Sequence, residues 1–277
     1  MNDRIIVDSC CDLTREMKAE MGITSVPLTM ILGDRVYCDD DSLNIADFTE
    51  QVKQYKGKVT SASPAPYSYA EAIVDSDEAF IVTLSQKLSG SYANAVLGNR
   101  DAVECGHKSA LVLDSKSAAA GETLIAVKLY ELIKANTPRD VIINTISRFI
   151  DDMKTYFVLE HYTNLQNNGR LNRVTGTLIS MLNIRLIMGA DGNGEIALFQ
   201  KCRGIKHMIS HMLFLIESSG KETHGENLVI SHCNNHKLAT LLKTYIEERF
   251  HFKQIYVVPM GGLSSMYVDD QGVVFAF

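Results

Sequence analysis

Three short apolar runs constrain this chain most: RIIV at 4–7, AFIVT at 79–83 and LVL at 111–113. Each is nearly free of polar residues and is soon followed by a polar cluster: Asp8-Ser9, Ser85-Gln86-Lys87 and Asp114-Ser115. A strand that is apolar on both faces is buried on both faces, the condition of a parallel sheet covered by helices. Segments with helical spacing separate the runs. Leu13 to Met21 closes at Gly22, a good C-cap, and 44–56 follows Asn44 as N-cap. Further helices are expected around 67–75, from Tyr92 to Glu104, over 117–135 and over 139–152. Ile23 to Leu32 is expected as one strand region, followed by a turn at Gly33-Asp34 and a short return at Val36-Tyr37. Strands alternating with helices make a parallel sheet flanked by helices. The polar clusters then fall at carboxyl ends of strands, where open α/β sheets bind ligands.

The second half has a different pattern. FVLEHYTNLQNNGRLNR runs from a strand into a turn or short helix, and 174–184 is expected to be helical. RLIMGADGNGEIALFQKCRG has the form of two strands joined by a Gly-rich turn. Helices over 205–216 and 236–250 and strands at ENLVISH, QIYVVPM and GVVFAF complete it. The expected fold class is α/β in two domains: a parallel sheet flanked by helices over 1–155, and a mixed sheet with helices over 156–277. A length of 277 residues with 46% apolar and 22% charged content suits two such cores.

Composition excludes some functions. A net charge of −6 lacks the basic stripe that nucleic acid requires. No apolar run reaches the roughly 20 residues of a membrane span, so no stable membrane insertion is expected. MNDRIIVDSC carries an Asp inside a short apolar run, unlike a signal peptide, which predicts a cytoplasmic protein. The cysteines at 10, 11, 38, 105, 202 and 233 form no CxxC pair and are expected to be reduced. His207/His211 and His232/His236 have i, i+4 spacing but lack HExxH or further ligands, so no metal site and no cofactor is expected. ADGNGE matches a fragment of a calcium loop, and a hairpin turn explains it better.

The segments richest in hydroxyls are LSQKLSGSYANA at 84–95 and VTSASPAP at 59–66, the latter expected as a loop stiffened by two prolines. Ser89-Gly90-Ser91, at a helix start, offers hydroxyls, backbone N–H groups and a close backbone approach to an anion. Helix capping is the competing role for these residues, as it is for the Asp-Ser pairs. LSGSY lacks the G-x-S-x-G elbow of a serine nucleophile. Thr60 and Ser61 could converge on the same point, and Arg170 after Gly169 could supply a cation for a carboxylate.

Taken together, IIVDSCCDL at 5–13, GITSVPL at 22–28, VTSASPAP, LSQKLSGSYANA, VLDSKSAAAGE at 112–122, NNGRLNR at 167–173 and MLNIRLIM at 181–188, with the DGNGEI turn at 191–196, resemble the DegV family of bacterial fatty-acid-binding proteins. The resemblance runs nearly end to end. It implies a non-enzymatic carrier that holds a long-chain fatty acid between two α/β domains. A separate fatty acid kinase subunit would phosphorylate the bound carboxylate for phospholipid synthesis. By motif match, Thr60, Ser61, Ser89, Gly90, Ser91 and Arg170 form the carboxylate site. The chain departs from the family near its end. Tyr267 stands where the family has a histidine of the head-group network, and Val268 to Gln271 where it has a Gly-Pro-Gly loop; the family's Lys-Pro is replaced by Arg185-Leu186. Two alternatives accompany the carrier: a diverged member that binds another anionic or amphipathic molecule, and an esterase-like enzyme using Ser89.

Overall fold

The computed structural model describes residues 3–74, 76, 78–171 and 184–277. Four parallel strands form the first sheet in the order β2-β1-β6-β7: β1 (Asp3–Asp8), β2 (Ile23–Val26), β6 (Glu78–Thr83) and β7 (Leu111–Asp114). Ile6, Val7, Phe80, Ile81 and Val82 in its two central strands are fully buried. The apolar runs are therefore interior strands, as their composition requires. From β1 the chain moves outward to β2, and from β6 it moves outward to β7 on the other side. The sheet's switch point lies between β1 and β6, and the crevice opens at their carboxyl ends.

Helices α1 (Arg15–Met21), α3 (Pro66–Ile73), α4 (Ser91–Glu104), α5 (Ala120–Lys134) and α6 (Arg139–Asp152) follow the sequence expectation to within a few residues. Thr14 caps α1 through Met17 N–H, and Gly22 ends it at φ 62°. Helix α5 packs against β1 and β6 on one side and against β11 (Asn227–His232) and β13 (Val273–Ala276) on the other. Every residue from Ala120 to Val127 is buried, as a helix enclosed between two sheets requires. Its small N-terminal residues permit the approach: a Cβ at Gly121 would overlap the Ser117 hydroxyl.

Two expectations in this half need correction. Ile23 to Leu32 is not one strand. Pro27, which has no N–H to donate to a ladder, divides it into β2 and β3 (Thr29–Leu32). Strand β3 forms a separate antiparallel sheet with β4 (Arg35–Cys38) and β5 (Val59–Ala62), in the order β4-β3-β5. Consequently Thr60 and Ser61 lie on a strand, not in a loop, paired with Ile31 and Met30. Helix α2 (Ile45–Gln54) covers this sheet with Phe48 and Val52.

The third sheet is mixed, in the order β10-β9-β8-β13-β11-β12. It comprises β8 (Thr155–Val158), β9 (Ile184–Ala190), β10 (Ile196–Arg203), β11, β12 (Gln254–Pro259) and β13. The β9–β10 hairpin turns at Asp191 to Glu195, where Asp191 accepts Asn193 and Glu195 N–H groups. Helices α8 (Ile205–Ser218) and α9 (His236–Arg249) cover one face. Helix α7 (Thr163–Asn167) is the short helix expected before Gly169. The helix expected over 174–184 falls outside the described residues, apart from Ile184, which opens β9. The sequence did not indicate α10 (Gly262–Val268), which packs on α2 and α7. Its N-terminus is capped from far away: the Asp39 carboxylate accepts Gly262 N–H at 2.8 Å and Leu263 N–H at 3.0 Å.

Candidate functional site

The polar residues that end the first sheet's strands brace the loops that follow. Asp8 Oδ1 accepts Cys10 N–H at 3.1 Å and Oδ2 accepts Leu84 N–H at 2.9 Å, tying the end of β1 to the end of β6. Ser9 Oγ accepts Leu28 N–H, and Asp114 accepts N–H groups from Gln86 and Lys116. Ser85 Oγ donates to Gly194 O at 2.7 Å, which fastens the β9–β10 turn to this face. The bonds of Asp8, Ser9 and Asp114 brace turns and cap no helix, the role that the sequence suggested for the Asp-Ser pairs.

Above the braces lies a cavity of about 330 Å³, within the roughly 300–1,000 Å³ range of small-molecule sites. Leu84, Leu88, Phe157, Leu159, Ile196 and Val274 are among its apolar walls, drawn from both the first and the third sheet regions. Ser61, Ser63, Ser89, Gly90, Arg170 and Tyr267 supply polar groups.

Five of the seven predicted site residues line this cavity: Ser61, Ser89, Gly90, Arg170 and Tyr267. Ser61 Oγ and the Tyr267 hydroxyl are 2.8 Å apart. Ser89 Oγ and Ser91 Oγ are 3.0 Å apart, and Ser89 Oγ accepts Ser91 N–H at 3.2 Å. The two other residues do not line it. Thr60 is adjacent to Ser61 on β5, and alternation along a strand turns neighbouring side chains to opposite faces. Ser91 is fully buried beneath Ser89 at the start of α4. Arg170 Nε donates to Leu88 O at 3.0 Å, and its Nη1 donates to Asn168 O. The arginine therefore also anchors the hydroxyl loop at Leu88.

Sequence reasoning did not select Ser63, Lys116, Thr155 or Ser264, which also line the cavity. Ser63 was within reach, in the same hydroxyl stretch as Ser61; its Oγ accepts from Asn94 Nδ2 at 3.1 Å. Thr155, at the start of β8, pairs with Ser117 at 2.7 Å, and no local motif marks it. Asp269 and Asp270, the acids that replace the expected glycine loop, point elsewhere. Asp270 accepts from Asn234 Nδ2 and pairs with Lys53, and Asp269 accepts Asp270 N–H. Asp269 and Gln271 nonetheless take φ of 63° and 66°, a glycine-like backbone built from other residues.

Beneath the loops lies a set of buried acids: Asp8, Asp12, Asp39 and Glu122. Burial pushes Asp8 up to about 6 and Asp12 up to about 7, and holds Glu122 well above the usual carboxylate range. Among the described residues, no group of three or more His, Cys, Asp or Glu is arranged to hold a metal ion. His232 and His236 stack edge to face at 5.5 Å, away from the cavity lining. No helix among the described residues is long and apolar enough to cross a membrane.

Comparison with known proteins agrees along the whole chain. A family model described as "Uncharacterised protein, DegV family" matches residues 3–277. A DegV domain-containing protein of Streptococcus gordonii is 32% identical over the whole chain and 99% of its own length. The crystal structure of a DegV family protein from Ruminococcus gnavus with vaccenic acid superposes with a TM-score of 0.95 at 35% identity, covering all of both chains. The Streptococcus pneumoniae Fatty Acid Kinase (Fak) B3 protein loaded with linoleic acid gives a TM-score of 0.91 at 31% identity, over 100% of this chain and 99% of that one. A DegV family protein from Eubacterium eligens loaded with heptadecanoic acid gives 0.90 at 28% identity, over 99% and 98%. With a match of this extent in sequence and in fold, the chain belongs to the DegV family.

Proposed function

We propose that this protein binds a long-chain fatty acid in the cavity and carries it to a separate fatty acid kinase that phosphorylates the carboxylate for phospholipid synthesis. The observation that carries this reading is the cavity's composition: a mostly apolar lining with hydroxyls and a guanidinium among its residues. Burial of an acyl chain contributes roughly 0.8 kcal/mol per methylene. Part of that offsets the cost of ordering the ligand. Ser61, Ser89, Gly90, Arg170 and Tyr267 receive the carboxylate, and hydroxyl, backbone N–H and guanidinium donors suit a single anion. Relatives of 28–35% identity with vaccenic, linoleic and heptadecanoic acids support the ligand class.

In this reading the protein has two domains, 1–155 and 156–277, with the ligand between them. The division is supported by the first and second sheets, which draw their strands from residues 3–114, and the third, which draws its strands from 155–276. The protein acts in the cytoplasm as a carrier and performs no catalytic step. Ser89 has a serine hydroxyl as its side-chain partner, and among the described residues no histidine lines the cavity to act as its base.

Native mass spectrometry of the purified protein tests the reading. The expected result is a stoichiometric adduct with the mass of a long-chain fatty acid, lost on organic extraction and restored by oleate. A protein that is empty as purified and takes up neither oleate nor palmitate overturns it.

A further inference from the structure

A second pair of hydroxyls lines the cavity, apart from the carboxylate site. Ser117 Oγ and Thr155 Oγ1 lie 2.7 Å from each other, and their residues are 4% and 5% exposed. Backbone bonds on both sides hold Ser117 in place: its N–H donates to Ser115 Oγ, and its carbonyl accepts Ser85 N–H at 2.7 Å. The pair sits among small residues. Ala118 and Ala119 line the cavity beside it, and a Cβ at Gly121 would crowd both hydroxyls.

This pair and the carboxylate site stand at opposite ends of one wall. Thr155, Phe157 and Leu159 alternate onto one face and all line the cavity, whereas Tyr156 and Val158 enter the core on the sheet's other face. Leu159 packs beside Val268, since a Cβ at Gly272 would touch both side chains. Val268 adjoins Tyr267 in α10, so the Leu159 end of this wall is the carboxylate end. Thr155 lies four residues away, about 13 Å along an extended strand, with Phe157 between. A saturated acyl chain advances roughly 1.3 Å per carbon, which brings about its tenth carbon to the pair.

The pair's hydrogen bonding is incomplete. Two hydroxyls carry two protons, and their mutual bond uses one. For the other, the acceptor that remains among the described residues is Ala118 O, 3.4 Å from Ser117 Oγ and long for an O–H donor. A poorly used proton and spare lone pairs suit a ligand hydroxyl, which both accepts and donates. A hydroxyl placed elsewhere on this wall meets Phe157 or Leu159 and loses its bonds to water without replacement.

We propose that the cavity takes a fatty acid with a hydroxyl near the middle of its chain, and that Ser117 and Thr155 bind that hydroxyl. The inference rests on the fatty-acid reading of the cavity, and the experiment separates the two. Stearate and 10-hydroxystearate compete in equal amounts for the protein, and native mass spectrometry reads the ratio of the two adducts. The wild type is expected to favour 10-hydroxystearate about fivefold, the scale of one net hydrogen bond. Ser117→Ala combined with Thr155→Val removes both hydroxyls and little volume. It is expected to reverse the preference to about tenfold for stearate, because the ligand hydroxyl is then buried without a partner. Thr155→Val alone, the milder change, moves the ratio in the same direction, and Thr155→Ser keeps the wild-type preference. The ratio of 3-hydroxystearate to stearate is the same in the wild type and the double variant, since that hydroxyl lies by the head group. Only ratios are read, so a general weakening of the cavity cancels. A wild type that favours stearate over 10-hydroxystearate overturns the proposal, as does a ratio that neither Thr155→Val nor the double variant changes; the fatty-acid reading then still stands. A wild type that takes up none of these acids overturns both.

Discussion

The Ser61 Oγ and the Tyr267 hydroxyl lie 2.8 Å apart, joining the end of β5 to α10 across the cavity. Both residues line the cavity, so in the proposed function a bound carboxylate meets a preformed pair of hydroxyls. Tyr267→Phe keeps the ring and removes the donor. Oleate affinity is expected to fall about five- to tenfold, the scale of one hydrogen bond near 1 kcal/mol. The thermal midpoint is expected to change little, because the pair is only partly buried. A double-mutant cycle with Ser61→Ala checks the pairing: additive losses would mean that the two hydroxyls act independently.

Asp39 is 6% exposed and directs both carboxylate oxygens at the first N–H groups of α10. The helix has no side-chain cap of its own. Asp39→Ala is expected to destabilise the fold by about 1–3 kcal/mol, the cost of buried donors left unmet. It should also weaken oleate binding, because Leu263, Ser264 and Tyr267 of α10 line the cavity. Urea unfolding together with a binding isotherm measures both; an unchanged urea midpoint refutes the capping role.

Asp269 holds φ 63° and ψ 174°, a region that side chains avoid. Its replacement by glycine relieves about 1 kcal/mol of backbone strain, within the range of about 1–3 kcal/mol for such residues. Asp269→Gly is therefore expected to raise the thermal midpoint. Equal or lower midpoints would show that the Asp269 contact with Asp270 N–H outweighs the strain.

Burial pushes Asp8 up to about 6 and Asp12 up to about 7 in the folded chain, against an ordinary value of 3.8. Between those limits the folded state binds more protons than the unfolded state. Stability from these two groups is complete below the unfolded value and is lost as pH rises through about 6 and about 7. The exposed Glu16 and Glu222 are shifted downward and act only at lower pH, whereas His232, lowered by burial, opposes the trend in this window as one group against the buried acids. The urea midpoint should therefore fall between about pH 5 and about pH 7.5. A midpoint that rises across this interval contradicts the assignment of protonated acids to the interior.

The sequence made the first sheet readable because the information is local. RIIV and AFIVT are apolar on both faces, and Thr14 and Gly22 mark both ends of α1 without reference to the rest of the chain. What it concealed depends on distant partners. Thr60 and Ser61 look like loop residues until β3 pairs with them, about thirty positions earlier in the chain. Helix α10 starts at Gly261-Gly262, a poor start by composition, and its cap comes from Asp39. Tyr267 was found only through resemblance to a family pattern, and Thr155 and Ser264 have no local pattern at all. The burial of Glu122 was equally hidden, since a glutamate in a helix usually faces water.

Strand β13 pairs with β8 on one side and β11 on the other, so Val273–Ala276 are the sole link between those two strands within the sheet. Without them, β8 and β11 have no common neighbour in the sheet. Phe157 on β8 and Val274 on β13 both wall the cavity. The wall of the cavity is thus completed by a strand far along the sequence, and the site closes only when Val273–Ala276 dock beside β8.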